Sequence, residues 1–335
     1  MNEAAPPRPE VSVVIPTHNR GPLLLLTLTG ALAQTDVELE VIVVDDGSRD
    51  GTGERLAAVA DPRLRAFRHE RALGVAHARN RGIAEARGEW IAVLDDDDVW
   101  APDKLRGQLD AAARAGADIA YASAAVVDEG YRMIDVHHAP PGDAMPELIF
   151  RRQMIPGGCS NLIARSELVR SAGGFDPDFG MLADWDMWIR LMLRGRAAST
   201  AEFSVGYVMH PMSMSMTKLD VTVAEIERIE EKHGAAARRY GEAIDGPGLS
   251  RWLAGRYRKG GNRRGAVRAY LWGARRYRSP GNLLRLAALP LGETAMQFGS
   301  RRPAPDLPDE PGWLALYRPG GAFSGGDERS AGVRA

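Results

Sequence analysis

The sequence predicts an α/β fold built on a doubly wound sheet, and three observations predict it. Short apolar runs alternate with helical patterns between residues 11 and 122. Gly and Pro punctuate the joins, separating the runs into distinct strands and helices. Polar clusters follow three of the apolar runs: Thr17-His18-Asn19, Asp45-Asp46-Gly47-Ser48, and Asp95 to Asp98. Strands alternating with helices form parallel sheets covered by helices, and ligands of such sheets bind outside the carboxyl ends of the strands. Three strand ends are therefore expected to converge on one crevice.

Taken in order, the apolar runs place strands over residues 11–15, 40–44, 64–69, 90–94 and 119–122. The patterns between them place helices over residues 22–34, 52–60, 75–87 and 102–115. Beyond Asp128 the pattern loosens into Gly- and Pro-rich connections, with strands near 159–164 and 203–208 and a helix over 184–194. This half is expected to complete the sheet and wall the crevice. Helices then follow over residues 224–240, 250–259, 263–278 and 283–288. The expected organisation is a flexible N-terminus over 1–10, the α/β domain over 11–220, a basic helical extension over 221–300 and a disordered tail over 301–335. Within that tail Trp313 to Tyr317 reads as a short docking segment.

Composition bounds the function. At 335 residues and 44% hydrophobic, the chain can bury one large core and a smaller satellite. A net charge of −1 gives no reason to expect nucleic acid as a partner of the whole molecule. The lone Cys159 excludes an intramolecular disulfide and a Cys-rich zinc cluster, and reads as a small core residue in a reducing compartment. The N-terminus lacks the basic-then-apolar order of a secretory signal, and no window approaches eighteen uninterrupted apolar residues. The expected location is the cytoplasm. Between Arg251 and Arg302 the only acid is Glu293, and Trp252, Tyr257, Tyr270, Trp272 and Tyr277 stand among the arginines. A packing face and a peripheral contact with anionic membrane lipid are the leading readings of that stretch.

The run Trp90-Ile91-Ala92-Val93-Leu94-Asp95-Asp96-Asp97-Asp98 is the most informative. Four adjacent carboxylates repel one another and gain little from a fold alone. A divalent metal, Mg²⁺ or Mn²⁺, held together with a phosphate-bearing ligand would offset them. The plain alternative is a solvated acidic turn capping the helix that begins near Pro102.

An ordered set of motifs resembles the family 2 glycosyltransferases. It runs through Val14-Ile15-Pro16-Thr17-His18-Asn19-Arg20, Val43-Val44-Asp45-Asp46-Gly47-Ser48, Ala78-Arg79-Asn80-Arg81-Gly82 and Leu94 to Asp98. It continues through Gly173-Gly174-Phe175-Asp176 and Asp184-Trp185-Asp186-Met187-Trp188, and ends near His210-Pro211-Met212-Ser213. The resemblance implies a GT-A fold, with a mixed sheet flanked by helices, and inverting transfer from a nucleotide-sugar donor to an acceptor hydroxyl.

The resemblance also implies roles for individual residues. Asp46, with Asp45 beside it, would recognise the nucleotide base; an Asx-turn or a cap for the helix at Thr52 is the alternative. Pro16, Thr17 and Asn19 would border the same nucleotide, and Arg79 would face its phosphates. Asp95 and Asp97 would hold the metal, because alternate strand-end residues share a face, while Asp96 turns toward the ribose or the helix. His210 would lie near metal and diphosphate, and Lys218 with Ser213 and Ser215 would cover the phosphates. Asp184 would be the base that deprotonates the acceptor; the family's usual Glu-Asp pair is Ala183-Asp184 here, which casts doubt on a second acidic contact to the acceptor. Two other functions fit the composition: a sugar-1-phosphate nucleotidyltransferase, which the first strand end does not favour because it lacks a Gly-rich basic loop, and a non-catalytic sugar-nucleotide-binding scaffold. A dehydrogenase is disfavoured because no Gly-x-Gly-x-x-Gly follows the first strand. The acceptor is expected on the side of residues 131–160, where His137-His138 read as loop residues.

Overall fold

The computed structural model describes residues 8–209, 219–259, 261–289 and 307–324. The chain divides into two compact units. The first holds the described residues 8–145, 154–209 and 307–324, and the second holds 146–153, 219–259 and 261–289.

In the first unit, β1 (Val11–Thr17), β2 (Leu39–Asp45), β3 (Leu64–Arg68) and β4 (Trp90–Val93) run parallel in the order β3-β2-β1-β4. β1 and β2 are buried along their whole length. Strands covered on both faces need apolar residues on both, so these read as near-continuous apolar runs. The crossovers are α1 (Gly21–Leu32), α2 (Thr52–Ala57) and α3 (Val75–Glu85). α3 lies close on β1: a Cβ at Gly82 would sit 2.3 Å from Val14 Cγ1, so the packing needs a glycine there.

Beyond β4 come β5 (Val99–Trp100), α4 (Lys104–Ala115), β6 (Ile119–Val127), β7 (Met133–His137) and α5 (Met145–Arg151). A 3₁₀ turn over Gly158–Ser160 then leads to β8 (Ile163–Arg165), α6 (Ser166–Ser171), α7 (Ala183–Met192) and β9 (Ala197–Val208). The full sheet runs β3-β2-β1-β4-β8-β6-β9-β5, with β7 on β6. β8 is antiparallel to β4 and β6, β9 is parallel to β6, and β5 is antiparallel to β9. The parallel sheet expected from the first hundred residues is thus half of a mixed one. His137 ends β7, where a loop was expected. Residues Gly312–Tyr317, which contain the expected docking segment, form a 3₁₀ turn. Leu314 and Tyr317 are fully buried there, in a cluster with Leu26, Val99, Val127 and Val208.

The second unit contains α8 (Leu219–Arg239), α9 (Gly246–Lys259), α10 (Arg263–Tyr277) and α11 (Pro280–Ala288). Asn262 caps α10, its side chain accepting from Gly265 N at 2.9 Å. Leu253, Tyr257, Ala266 and Tyr270 form the core. Trp272 Nε1 donates to Glu227 at 3.0 Å and Arg276 pairs with Glu230 at 2.9 Å. Part of the aromatic and basic content of this stretch therefore serves packing.

Candidate functional site

The register of the sheet brings the site together. Thr17 pairs with Asp45 and Val14 with Val93, so the carboxyl ends of β1, β2 and β4 lie side by side. Pro16 and Thr17 close β1 as buried residues. Asn19, in the left-handed region at φ 54°, donates its N–H to Ser48 Oγ at 2.8 Å and accepts from Arg49 N at 2.8 Å. It ties the end of β1 to the loop after β2.

After β4 the chain turns. Asp98 N donates to Asp95 O at 3.2 Å, so Asp95 to Asp98 form a turn, and the strand alternation expected to pair Asp95 with Asp97 does not operate. The turn sorts the four carboxylates instead. Asp95 Oδ1 accepts from Arg79 Nη2 at 2.5 Å. Arg20 Nη1 donates to Asp97 Oδ2 at 2.7 Å and to Asp96 Oδ1 at 3.0 Å, while Thr17 Oγ1 donates to Asp96 Oδ2 at 2.7 Å. Asp98 points inward, accepting from Val208 N at 3.0 Å and from Ser160 Oγ at 2.5 Å. The Asp95 and Asp97 side chains are 31% and 15% exposed, against 7% for Asp96. Burial, and then the charge of Asp97, push the Asp96 carboxyl up to about 6, against the opposing pull of Arg20. Burial also holds Asp98 well above the usual carboxylate range.

Arg79 joins this turn to α7. Burial opposes its charge, but the carboxylates of Asp95 and Asp184 help to outweigh it, so the guanidinium is held above its ordinary pKa. Its Cζ lies 5.0 Å from the centre of the Phe175 ring. Asp184 is in the first turn of α7, half-buried between the buried Ala183 and Trp185, and accepts from Trp185 N at 2.7 Å. Asp95 is the direct partner of Arg79, and the charge of Asp184 adds a smaller attraction.

The carboxylates at the end of β2 serve the loops. Asp46 accepts from Leu73 N at 2.9 Å and from Gly74 N at 2.7 Å, and its Oδ1 lies 2.7 Å from His69 Nδ1. Burial raises its pKa, yet His69 and the two N–H groups prevail and hold it below the usual range. Asp45 holds the loop after β2, its Oδ1 accepting from Ser48 N three residues on at 2.8 Å. Asp50 serves the helix at Thr52, accepting the Thr52 hydroxyl at 2.5 Å.

Two rim carboxylates suit Mg²⁺ or Mn²⁺, which take hard oxygen ligands and commonly use one or two carboxylates plus substrate phosphates. Among the described residues no group of three or more His, Cys, Asp or Glu side chains gathers to hold a metal by itself. His210, Ser213, Ser215 and Lys218 lie outside the described residues. Sequence reasoning quoted Arg20 and Phe175 within motifs but gave them no role, and gave none to His69 or Ser160. Arg20 had a signal, since it adjoins the first strand end; Ser160 is 62 residues beyond Asp98 and had none.

The family described as Glycosyl transferase family 2 matches residues 12–166. Succinoglycan biosynthesis protein ExoO of Rhizobium meliloti is 33% identical over 249 residues, which cover 71% of this chain and 70% of that protein. The UDP-Glc:alpha-D-GlcNAc-diphosphoundecaprenol beta-1,3-glucosyltransferase WfaP of Escherichia coli is 25% identical over 62% of this chain and 80% of its own. Among solved structures, S. aureus TarS 1-349 in complex with UDP-GlcNAc superposes with a TM-score of 0.56 at 20% identity, covering 66% of this chain and 65% of that one. The mannosyltransferase PcManGT from Pyrobaculum calidifontis, in complex with GDP-Man and Mn²⁺, superposes with a TM-score of 0.51 at 23% identity, over 88% of this chain and 84% of that one.

Proposed function

The chain belongs to glycosyl transferase family 2, and from that premise we propose that it moves a sugar from a UDP- or dTDP-sugar to an acceptor hydroxyl, with inversion. The observation that carries this is the meeting of Thr17, Asp46, Asp95 and Asp97 at three adjacent strand ends, with Asp184 acting on the same arginine as Asp95. Relatives named for succinoglycan biosynthesis and for a UDP-glucose donor support a saccharide or lipid-linked acceptor.

In this reading Pro16, Thr17, Asn19 and the Asp45-Asp46 loop frame the nucleotide, while Asp95 and Asp97 would hold the metal beside Asp96. A bound Mg²⁺ or Mn²⁺ supplies charge neutralisation for the departing nucleoside diphosphate. Arg20 and Arg79 keep the rim carboxylates placed. Asp184 accepts the proton of the acceptor hydroxyl as its oxygen bonds to the anomeric carbon from the side opposite the breaking bond to phosphate. The test is calorimetric titration with UDP, dTDP and GDP, each with and without Mn²⁺. Metal-dependent binding of one nucleotide, lost in Asp97→Ala, is expected; no binding to any of them in a folded sample would overturn the donor-site reading, and binding without transfer or hydrolysis would favour the sugar-nucleotide-binding scaffold.

A peripheral contact with anionic membrane lipid belongs to the same proposal. On α11, Leu283 and Leu284 are 54% and 71% exposed, while Leu286 and Leu289 pack on the core of the second unit. Between residues 251 and 292 the chain has no acid and many arginines, which suits lipid phosphates. Among the described residues no helix is long and apolar enough to cross a membrane. Leu283→Ser with Leu284→Ser should lower co-sedimentation with phosphatidylglycerol vesicles, and unchanged binding would remove this contact.

A further inference from the structure

We propose that residues 307–324 are a strap that positions the acidic turn, with Tyr317 as the positioning residue; its relevance to catalysis rests on reading Asp95 and Asp97 as the metal-holding pair. Among the described residues β5 is the last strand of the sheet, so one side of its backbone has no strand neighbour there. Tyr317 Oη fills that edge: it donates to Trp100 O at 2.6 Å and accepts from Trp100 N at 3.3 Å. Trp100 stands two residues after Asp98. Its indole Nε1 donates to Ser160 O at 2.7 Å. The Ser160 hydroxyl then donates to Asp98 Oδ2 at 2.5 Å and accepts from Asp95 N at 3.1 Å. One line of hydrogen bonds therefore runs from the strap through Trp100 and Ser160 to both ends of the acidic turn.

The surrounding fold is shaped to admit the strap. A Cβ at Gly30 of α1 would lie 1.9 Å from Tyr317 Oη, so α1 needs a glycine where the strap docks. Apolar packing explains the buried ring, whose neighbours include Tyr131 at 5.9 Å and Phe323 at 5.1 Å between centroids. Packing does not require the hydroxyl, since phenylalanine would fill the same space. The hydroxyl serves the edge of β5, where a backbone group left without a partner is costly.

The test uses the full chain and two variants. Tyr317→Phe removes only Oη, and Trp313→Phe removes the strap's separate bond from Trp313 Nε1 to Phe203 O, at 2.8 Å. Hydrogen exchange of the Asp95–Trp100 amides should quicken about tenfold in Tyr317→Phe, the scale of one lost hydrogen bond, and stay unchanged in Trp313→Phe. Using whichever of UDP, dTDP and GDP binds the unaltered chain, Tyr317→Phe should also weaken the Mn²⁺ dependence of binding about tenfold more than Trp313→Phe does. Faster exchange confined to residues 307–324, or equal metal dependence in the two variants, would overturn the positioning role. If no nucleotide binds the unaltered chain with Mn²⁺, the donor-site reading fails, and the exchange pattern alone decides whether the strap positions the turn.

Discussion

Arg79 Nη2 meets Asp95 Oδ1 at 2.5 Å while the same guanidinium lies over the Phe175 ring. The arginine is 5% exposed and Asp95 is 31% exposed at the rim, so a single charge-assisted bond from a buried guanidinium holds a carboxylate that water still reaches. The charge of Asp184 also reaches this arginine, which links the proposed metal side of the crevice to the proposed acceptor side. The residue expected to face phosphate also holds a carboxylate that would face the metal.

Removing that arginine should be expensive. Arg79→Met leaves Asp95 without this partner, and because the carboxylate is part-exposed the cost should be about 1–3 kcal/mol, read as a lower urea midpoint. Arg79→Lys returns the charge but not the planar guanidinium that bonds Asp95 through Nη2 and lies over Phe175. It should recover part of the stability and little of the transfer rate. A lysine variant with parental stability and turnover would show that charge alone matters.

The acidic turn divides into rim and interior, and the two should respond differently. Asp97→Asn changes a carboxylate at the rim and should abolish metal-dependent nucleotide binding with a small change in thermal midpoint. Asp98→Asn keeps an acceptor for Val208 N but turns Nδ2 toward Ser160 Oγ, so the Ser160 hydroxyl must accept there and its own proton loses the carboxylate. The expected loss is about 1–3 kcal/mol. Calorimetric melting curves for the two variants, with the reverse ordering, would contradict this division.

Lys104 gives a prediction in pH. Its side chain is buried, Nζ has no hydrogen-bond partner among the described residues, and the Trp100 ring centre lies 3.7 Å away. Burial lowers its pKa well below the ordinary lysine value. The unfolded chain keeps that proton up to about pH 10.4, so between the folded-state pKa and that value it binds more protons than the folded chain. Stability should therefore rise with pH across that window. Lys104→Met fills the same space without the amine, and should flatten this rise and gain about 1 kcal/mol near neutral pH. Parallel stability–pH curves for the two chains would rule the lysine out as the source.

The strands and helices of the first hundred residues are legible because each pairs a long apolar run or a helical period with Gly or Pro stops. β5 is not, since Val99 and Trp100 are too short for a period, and neither is β7, whose Ile134 is 51% exposed. α5 and α6, at seven and six residues, span less than two turns, too short for a helical period to show. Within the site, the strand ends were legible because the parallel order aligns them. The roles inside the clusters were not. Whether Asp96 or Asp97 faces outward depends on a turn, and the hold of Ser160 and Tyr317 on that turn depends on contacts between distant parts of the chain.

Asp184 carries the last prediction, and its neighbour explains a departure from the family pattern. Ala183 is fully buried at the start of α7, so the acid usual at that position would be forced into the core here. Ala183→Glu should therefore lower the thermal midpoint instead of adding an acceptor contact, since an unpaired buried carboxylate is costly. Asp184 itself is half-buried in the first turn of the same helix, where a carboxylate is favoured by the helix dipole. Asp184→Asn keeps the shape and removes the proton acceptor. Turnover should fall by about 10² to 10⁴, the usual contribution of a general base, while calorimetric affinity for the nucleotide with Mn²⁺ stays within about twofold. A parallel loss of affinity would mean that Asp184 acts through Arg79 and Asp95 on the donor, and unchanged turnover would remove it as the base.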